Sequence, residues 1–162
     1  MNTKRVIGLG NLYAGDDAVG ILVIRKLQAL HLPGVDMIEA GLAGLTLLDL
    51  LEGAKHAIVV DAVQSDLEEG AIIRLEIPQD QDQVTRLSWD SATPSTHSIG
   101  LSEAITLGMT LGILPEQLTI IGIELAHCTT NQPISRKVFA ATETVLASIV
   151  EDLRKMACTN SN

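Results

Sequence analysis

Short apolar runs alternate along this chain with longer segments whose apolar residues recur every three or four positions. The first run, Val6-Ile7-Gly8-Leu9, reads as a short buried strand ending in glycine-rich sequence. From Asp16 to Leu30, the residues Val19, Leu22, Val23, Leu27 and Leu30 keep helical spacing. Val35 to Glu39 reads as a second strand, and Leu42 to Leu51 as a leucine-rich helix stopped by Gly53. His56-Ala57-Ile58-Val59-Val60-Asp61 is apolar on both faces, as a central parallel strand covered by helices would be. Ala71 to Ile77, ended by Pro78, predicts a fourth strand, and Leu118 to Glu124 a fifth. Further helices are expected from about Ser98 to Gly112, after Pro94-Ser95-Thr96, and from near Ile134 to about Met156. Gln79 to Ser95 is the one long irregular segment, with room for a short extra strand.

Strands alternating with helices imply an α/β protein with a mainly parallel sheet and helices on both sides. No repeat and no linker composition divides the chain, so one domain is expected over 1–157, with a flexible C-terminal tail over 158–162. At 162 residues, 46% hydrophobic and 19% charged, the chain is not disordered and needs no disulfide or metal to fold. A net charge of −9 with no basic run argues against nucleic acid. Cys128 and Cys158 form no CxxC unit, so neither a disulfide framework nor a zinc knuckle is expected. The N-terminus lacks a secretory pattern, and the apolar stretch from Ile105 to Ala126 is broken by Pro115-Glu116-Gln117. The expectation is a soluble, cytoplasmic protein with no membrane partner.

In an open α/β sheet ligands gather at the carboxyl ends of the strands, and three polar positions are predicted there. The first strand empties into Gly8-Leu9-Gly10-Asn11-Leu12-Tyr13-Ala14-Gly15-Asp16-Asp17. One aspartate at the start of a helix serves as a cap. A second beside it adds a like charge that a cation or a proton would relieve. Asp61 ends the apolar run of the central strand, where an ionised carboxylate must be paired or hydrogen-bonded. His97 follows Pro94-Ser95-Thr96 at the mouth of a helix, whose dipole keeps an imidazole neutral and able to bind a metal. Two carboxylates and a neutral histidine suit a borderline divalent cation, and equally suit carboxylate-assisted activation of water.

Other positions carry weaker signals. His127-Cys128 follows the fifth strand and could approach the same rim, whereas His31 and His56 read as element-boundary residues and Cys158 as incidental. Trp89 reads as packing down the long segment, with contact to a protein substrate as the alternative. A dinucleotide site is not expected: Tyr13 replaces the third glycine of GxGxxG, and two aspartates would repel a pyrophosphate.

Taken together, Gly8-Leu9-Gly10-Asn11-Leu12 with Gly15-Asp16-Asp17, Val59-Val60-Asp61-Ala62 and Thr96-His97-Ser98-Ile99-Gly100-Leu101 resemble the nickel–iron hydrogenase maturation endopeptidases. Ile121-Gly122-Ile123-Glu124 followed by Pro133-Ile134-Ser135 extends the similarity toward the C-terminus. The resemblance implies a three-layer α/β/α sandwich around a five-stranded, mostly parallel sheet. It also implies an aspartyl-type endopeptidase that removes the C-terminal extension of a nickel-loaded [NiFe] hydrogenase large-subunit precursor. The family's metal-contacting and catalytic residues map onto Asp17, Asp61 and His97, with Asp16 left as a helix cap. Nickel would arrive with the precursor, so no permanent cofactor is implied. Where the family often has Asp-Gly-Gly-Thr, this chain has Glu39-Ala40-Gly41-Leu42, and Leu125 replaces the proline after Gly-Ile-Glu. Both departures bear on which precursor is read. The alternative left open is a non-catalytic maturation factor that binds the metal or the precursor; a third reading is a metallohydrolase of small molecules.

Overall fold

Valine, isoleucine and leucine supply nearly half of the residues in the five segments that pair into one sheet. A computed structural model describes residues 2–42, 44–87, 89 and 100–159 of the chain. Its strands are β1 (Lys4–Leu9), β2 (Asp36–Gly41), β3 (His56–Val63), β4 (Ile72–Ile77) and β5 (Gln117–Glu124), in the order β2-β1-β3-β5-β4. β1 runs parallel to β2 and β3, β3 runs parallel to β5, and β4 is antiparallel to β5. The reversal of β4 has a simple cause. No helix separates it from β3, and a parallel return needs a crossover of about a dozen residues or more.

The helices are α1 (Val19–Gln28), α2 (Thr46–Leu51), α3 (Gln81–Arg86), α4 (Leu101–Leu111) and α5 (Arg136–Thr159). Alternation along the strands divides the core in two. Val6, Ile58, Val60 and Ile121 pack with Val23 and Ile24 of α1 and Val145 and Ile149 of α5. Ile7, Val59, Leu75 and Ile120 face the other way, against Leu47 and Leu51 of α2, Val84 of α3 and Ile105 of α4. Each such side chain contributes roughly 1.5–3 kcal/mol by leaving water, and burial on both faces gives the expected three layers. No described helix is long and apolar enough to cross a membrane.

Several boundaries differ from those read in the sequence. Residues Gly15–Ala18 form a 3₁₀ turn, so α1 begins at Val19 rather than Asp16. α2 begins at Thr46 rather than Leu42, because Gly41 and Gly44 hold positive φ angles of 64° and 69° that no right-handed helix accepts. Among its described residues, the long segment after β4 contains α3 rather than a strand; Val84 is the one buried residue of that helix, too little to leave a periodic pattern. α5 continues to Thr159, past the expected end near Met156, so the proposed tail boundary falls inside this helix. The start of the helix expected from Ser98 lies outside the described residues.

Two features fix the geometry of the carboxyl rim. α1 lies very close to the sheet: a Cβ at Gly20 would collide with the carbonyls of Leu9 and Val60, and one at Gly8 with the carbonyl of Gly20. The strand order also reverses between β1 and β3. From β1 the chain crosses through α1 to β2, and from β3 it departs in the opposite direction. That reversal opens a crevice at the carboxyl ends of β1 and β3, where ligands of open α/β sheets bind.

Candidate active site

The loop leaving β1 turns back on itself before α1 begins. Gly10 has φ of 126°, and a Cβ there would collide with the carbonyl of Asp17, so the two backbones abut. This contact brings the Asn11 N–H to Asp17 Oδ2 at 2.9 Å. Asn11 is held in turn by its own loop: its Oδ1 accepts the Tyr13 N–H at 3.0 Å and its carbonyl accepts the Ala14 N–H at 3.1 Å. Asp17 is only 4% exposed. Asp61, also 4% exposed, stands near the end of β3, where its Oδ1 accepts the Ala62 N–H at 2.8 Å. Its partner across the β3–β5 ladder is Gly122, whose missing side chain leaves room for the Trp89 ring. The structure therefore brings Asp17 and Asp61 to the ends of adjacent strands, at the point where the sheet order reverses.

Asp16 has a different environment. Its buried carboxylate accepts the N–H groups of Ala126 (2.8 Å), His127 (3.0 Å) and Ser135 (2.6 Å), and the Ser135 hydroxyl (2.8 Å). Its own N–H donates to the His127 carbonyl at 3.1 Å. Burial pushes the Asp16 carboxyl up, but the bonds from Ser135, His127 and Ala126 together outweigh it and hold the pKa below the ordinary aspartate value. The Ser135 carbonyl accepts the Phe139 N–H, so Ser135 is the cap residue of α5. Asp16 thus completes the N-terminus of α5 from across the chain, and the expectation that it caps its own helix is corrected. The clash of two adjacent charges is relieved on the Asp16 side by backbone dipoles.

The third expected group, His97, lies outside the described residues. Among the described residues no three His, Cys, Asp or Glu side chains gather into a set able to hold a metal ion. Asp17 and Asp61 supply oxygen donors at the rim, the chemistry suited to polarising water or contacting a cation. His127 packs its ring against Gly15, where a Cβ would lie 2.7 Å from Nδ1, and that buried Nδ1 has no hydrogen-bond partner among the described residues. It reaches the loop that carries Asp17 by packing, and Cys128 beside it is half-buried. His31 and His56 bond near element ends, to the Ala29 carbonyl and to Gln117. Trp89 is buried, with Nε1 donating to the Val84 carbonyl at 3.0 Å. Glu39 forms a bidentate pair with Arg25, at 3.0 and 3.1 Å. Glu124 accepts the N–H and hydroxyl of Ser65 and so anchors the turn leaving β3.

Two residues that matter here stood in the segments that carry the resemblance, without a role of their own assigned to them. Asn11 orients Asp17 through a backbone N–H, which any residue type but proline could supply. Ser135 could have been found as a helix cap, but not as the partner of Asp16.

The hydrogenase maturation protease family matches this chain over residues 21–152. The chain is 30% identical over 155 residues to a Methanocaldococcus jannaschii protein named for the same activity, across 93% of this chain and 96% of that one. It is 27% identical over 152 residues to the hydrogenase 2 maturation protease of Escherichia coli, across 93% and 90%. Its fold superposes on the E. coli maturating endopeptidase HybD with a TM-score of 0.78 at 23% identity, covering 96% and 94% of the two chains. A hydrogenase 2 maturation peptidase from a Thaumarchaeota archaeon gives 0.70 at 27% identity, covering 94% and 98%. With a family match over most of its length and the same five-stranded α/β architecture, the chain belongs to the hydrogenase maturation proteases and is a peptidase.

Proposed function

We propose that this peptidase removes the C-terminal extension of a [NiFe] hydrogenase large-subunit precursor that already carries nickel, acting in the cytoplasm. The observation that supports this reading is the pair of buried carboxylates, Asp17 and Asp61, at the crevice between the ends of β1 and β3. In the complex Asp17, Asp61 and His97 contact the precursor's nickel, so metal recognition is built into substrate recognition. One carboxylate accepts a proton from water as its oxygen bonds to the scissile carbonyl carbon. The C–N bond then breaks and the proton passes to the departing amine. Oxygen donors of low exposure favour this role, because removal from bulk water strengthens their interaction with a cation or a developing charge.

The test is a mobility-shift and mass assay on purified precursor, nickel-loaded and nickel-free, with wild type and Asp17→Ala. A small mass loss only with nickel and wild type is expected. Failure to cleave a correctly loaded cognate precursor would overturn the proposed reaction. His97→Ala should likewise stop processing with the fold retained; normal processing by that variant removes His97 from the mechanism.

A further inference from the structure

We propose that the groove beside Asp17, walled by Leu12, Tyr13, Ile21 and Leu42, seats an extended, uncharged and apolar segment of the precursor next to the bond to be cut. The inference rests on the reading that a hydrogenase precursor is the substrate. The groove is a shallow, open one between the loop after β1 and the end of β2, with a volume of about 440 Å³, within the usual size range of ligand sites. Tyr13 and Leu42 stand on its two walls at 71% and 65% exposure. Large apolar side chains held in water on facing loops mark a contact surface. The walls are fixed in advance: the Gly10 N–H donates to the Gly41 carbonyl at 2.7 Å, and the Asn131 N–H to the Tyr13 carbonyl at 2.9 Å.

Charge selects the occupant. Arg25 and Glu39 line the groove and satisfy one another through two hydrogen bonds. An incoming charged side chain would lose water there and find its natural partner already engaged, whereas an apolar one loses nothing. β2 is an outer strand of the sheet, so an extended segment has a strand edge to align on. The groove is also continuous with the candidate active site: Asn11 lines it and donates its N–H to Asp17. A segment seated between Tyr13 and Leu42 therefore leads directly to that carboxylate.

The experiment compares the full chain with Leu42→Asp, Leu42→Met and Tyr13→Ala, using Leu111→Asp as a control at an exposed leucine of α4, 58% exposed. Affinity for fluorescently labelled, nickel-loaded precursor is measured by titration, and KM and kcat by cleavage, with melting curves to check folding. Leu42→Asp should weaken binding and raise KM by about tenfold or more, the scale of one buried leucine. Its kcat should stay within about twofold. Tyr13→Ala should shift the same way, Leu42→Met should recover wild-type affinity, and Leu111→Asp should change nothing. Unchanged affinity in both Leu42→Asp and Tyr13→Ala overturns the groove. A wild type that binds precursor without cleaving it overturns the proposed reaction alone, because the groove is still judged by affinity. A wild type that does not bind overturns both.

Discussion

Asp16 and Asp17 are neighbours in one 3₁₀ turn and both are buried, yet their surroundings differ. Four donors converge on Asp16, two of them from the cap of α5. Asp16→Ala strands these donors and should cost about 3 kcal/mol or more, read as a clear drop in the urea midpoint. Because its folded pKa lies below the ordinary 3.8, the native state favours ionised Asp16. That contribution is complete above the unfolded pKa and is lost as pH falls through the lower folded value. The stability gap between wild type and Asp16→Asn should therefore narrow as denaturation is measured at successively lower pH below about 4; a constant gap would contradict the assignment. Asp17→Asn is expected to behave oppositely. The amide oxygen can still accept from Asn11, so melting should change little, while cleavage should fall by about 10²-fold or more.

At the scale of elements, the site depends on how closely α1 rests on the sheet. Gly8 and Gly20 allow the contact, since a methyl group on either would strike backbone, and one on Gly8 would strike the Ile24 side chain as well. Gly20→Ala should destabilise by about 1–3 kcal/mol and also reduce cleavage, because lifting α1 displaces the turn that carries Asp17. A variant with an unchanged melting temperature and full activity would show that α1 is not held by this contact. The Asp16–Ser135 connection works in the same direction, tying α5 to the turn from the far side. Asp17 is thus placed by two helices and one strand, none of which contains it.

At the scale of the whole molecule, metal recognition is shared between enzyme and substrate in the proposed reaction. Two carboxylates and one imidazole leave a coordination position to be filled from elsewhere. Calorimetric titration of Ni²⁺ into the isolated protein should show weak binding, and affinity should rise when the metal is presented within the precursor. Tight binding by the protein alone would favour a resident metal instead. The groove beside Asp17 supplies the other half of recognition, an apolar surface next to the paired carboxylates.

The pattern of apolar positions was enough to locate all five strands, the long helices and the two central carboxylates, because burial on both faces and helical periodicity leave direct marks on residue type. It could not register α3, whose single anchor Val84 makes no period, nor the late start of α2, which depends on backbone angles at Gly41 and Gly44. The glycine loop with Asp16-Asp17, and Asp61 after its valines, were legible as candidate chemistry for the same reason: charge at the end of an apolar run is costly and therefore conspicuous. What Asp16 supports was decided only in three dimensions. Ala126, His127 and Ser135 lie more than a hundred positions from Asp16, and no local rule links them. Likewise, strand order alone brings the ends of β1 and β3 together. Sequence determines the chemistry each residue can offer; the order and register of the sheet determine which of these residues meet.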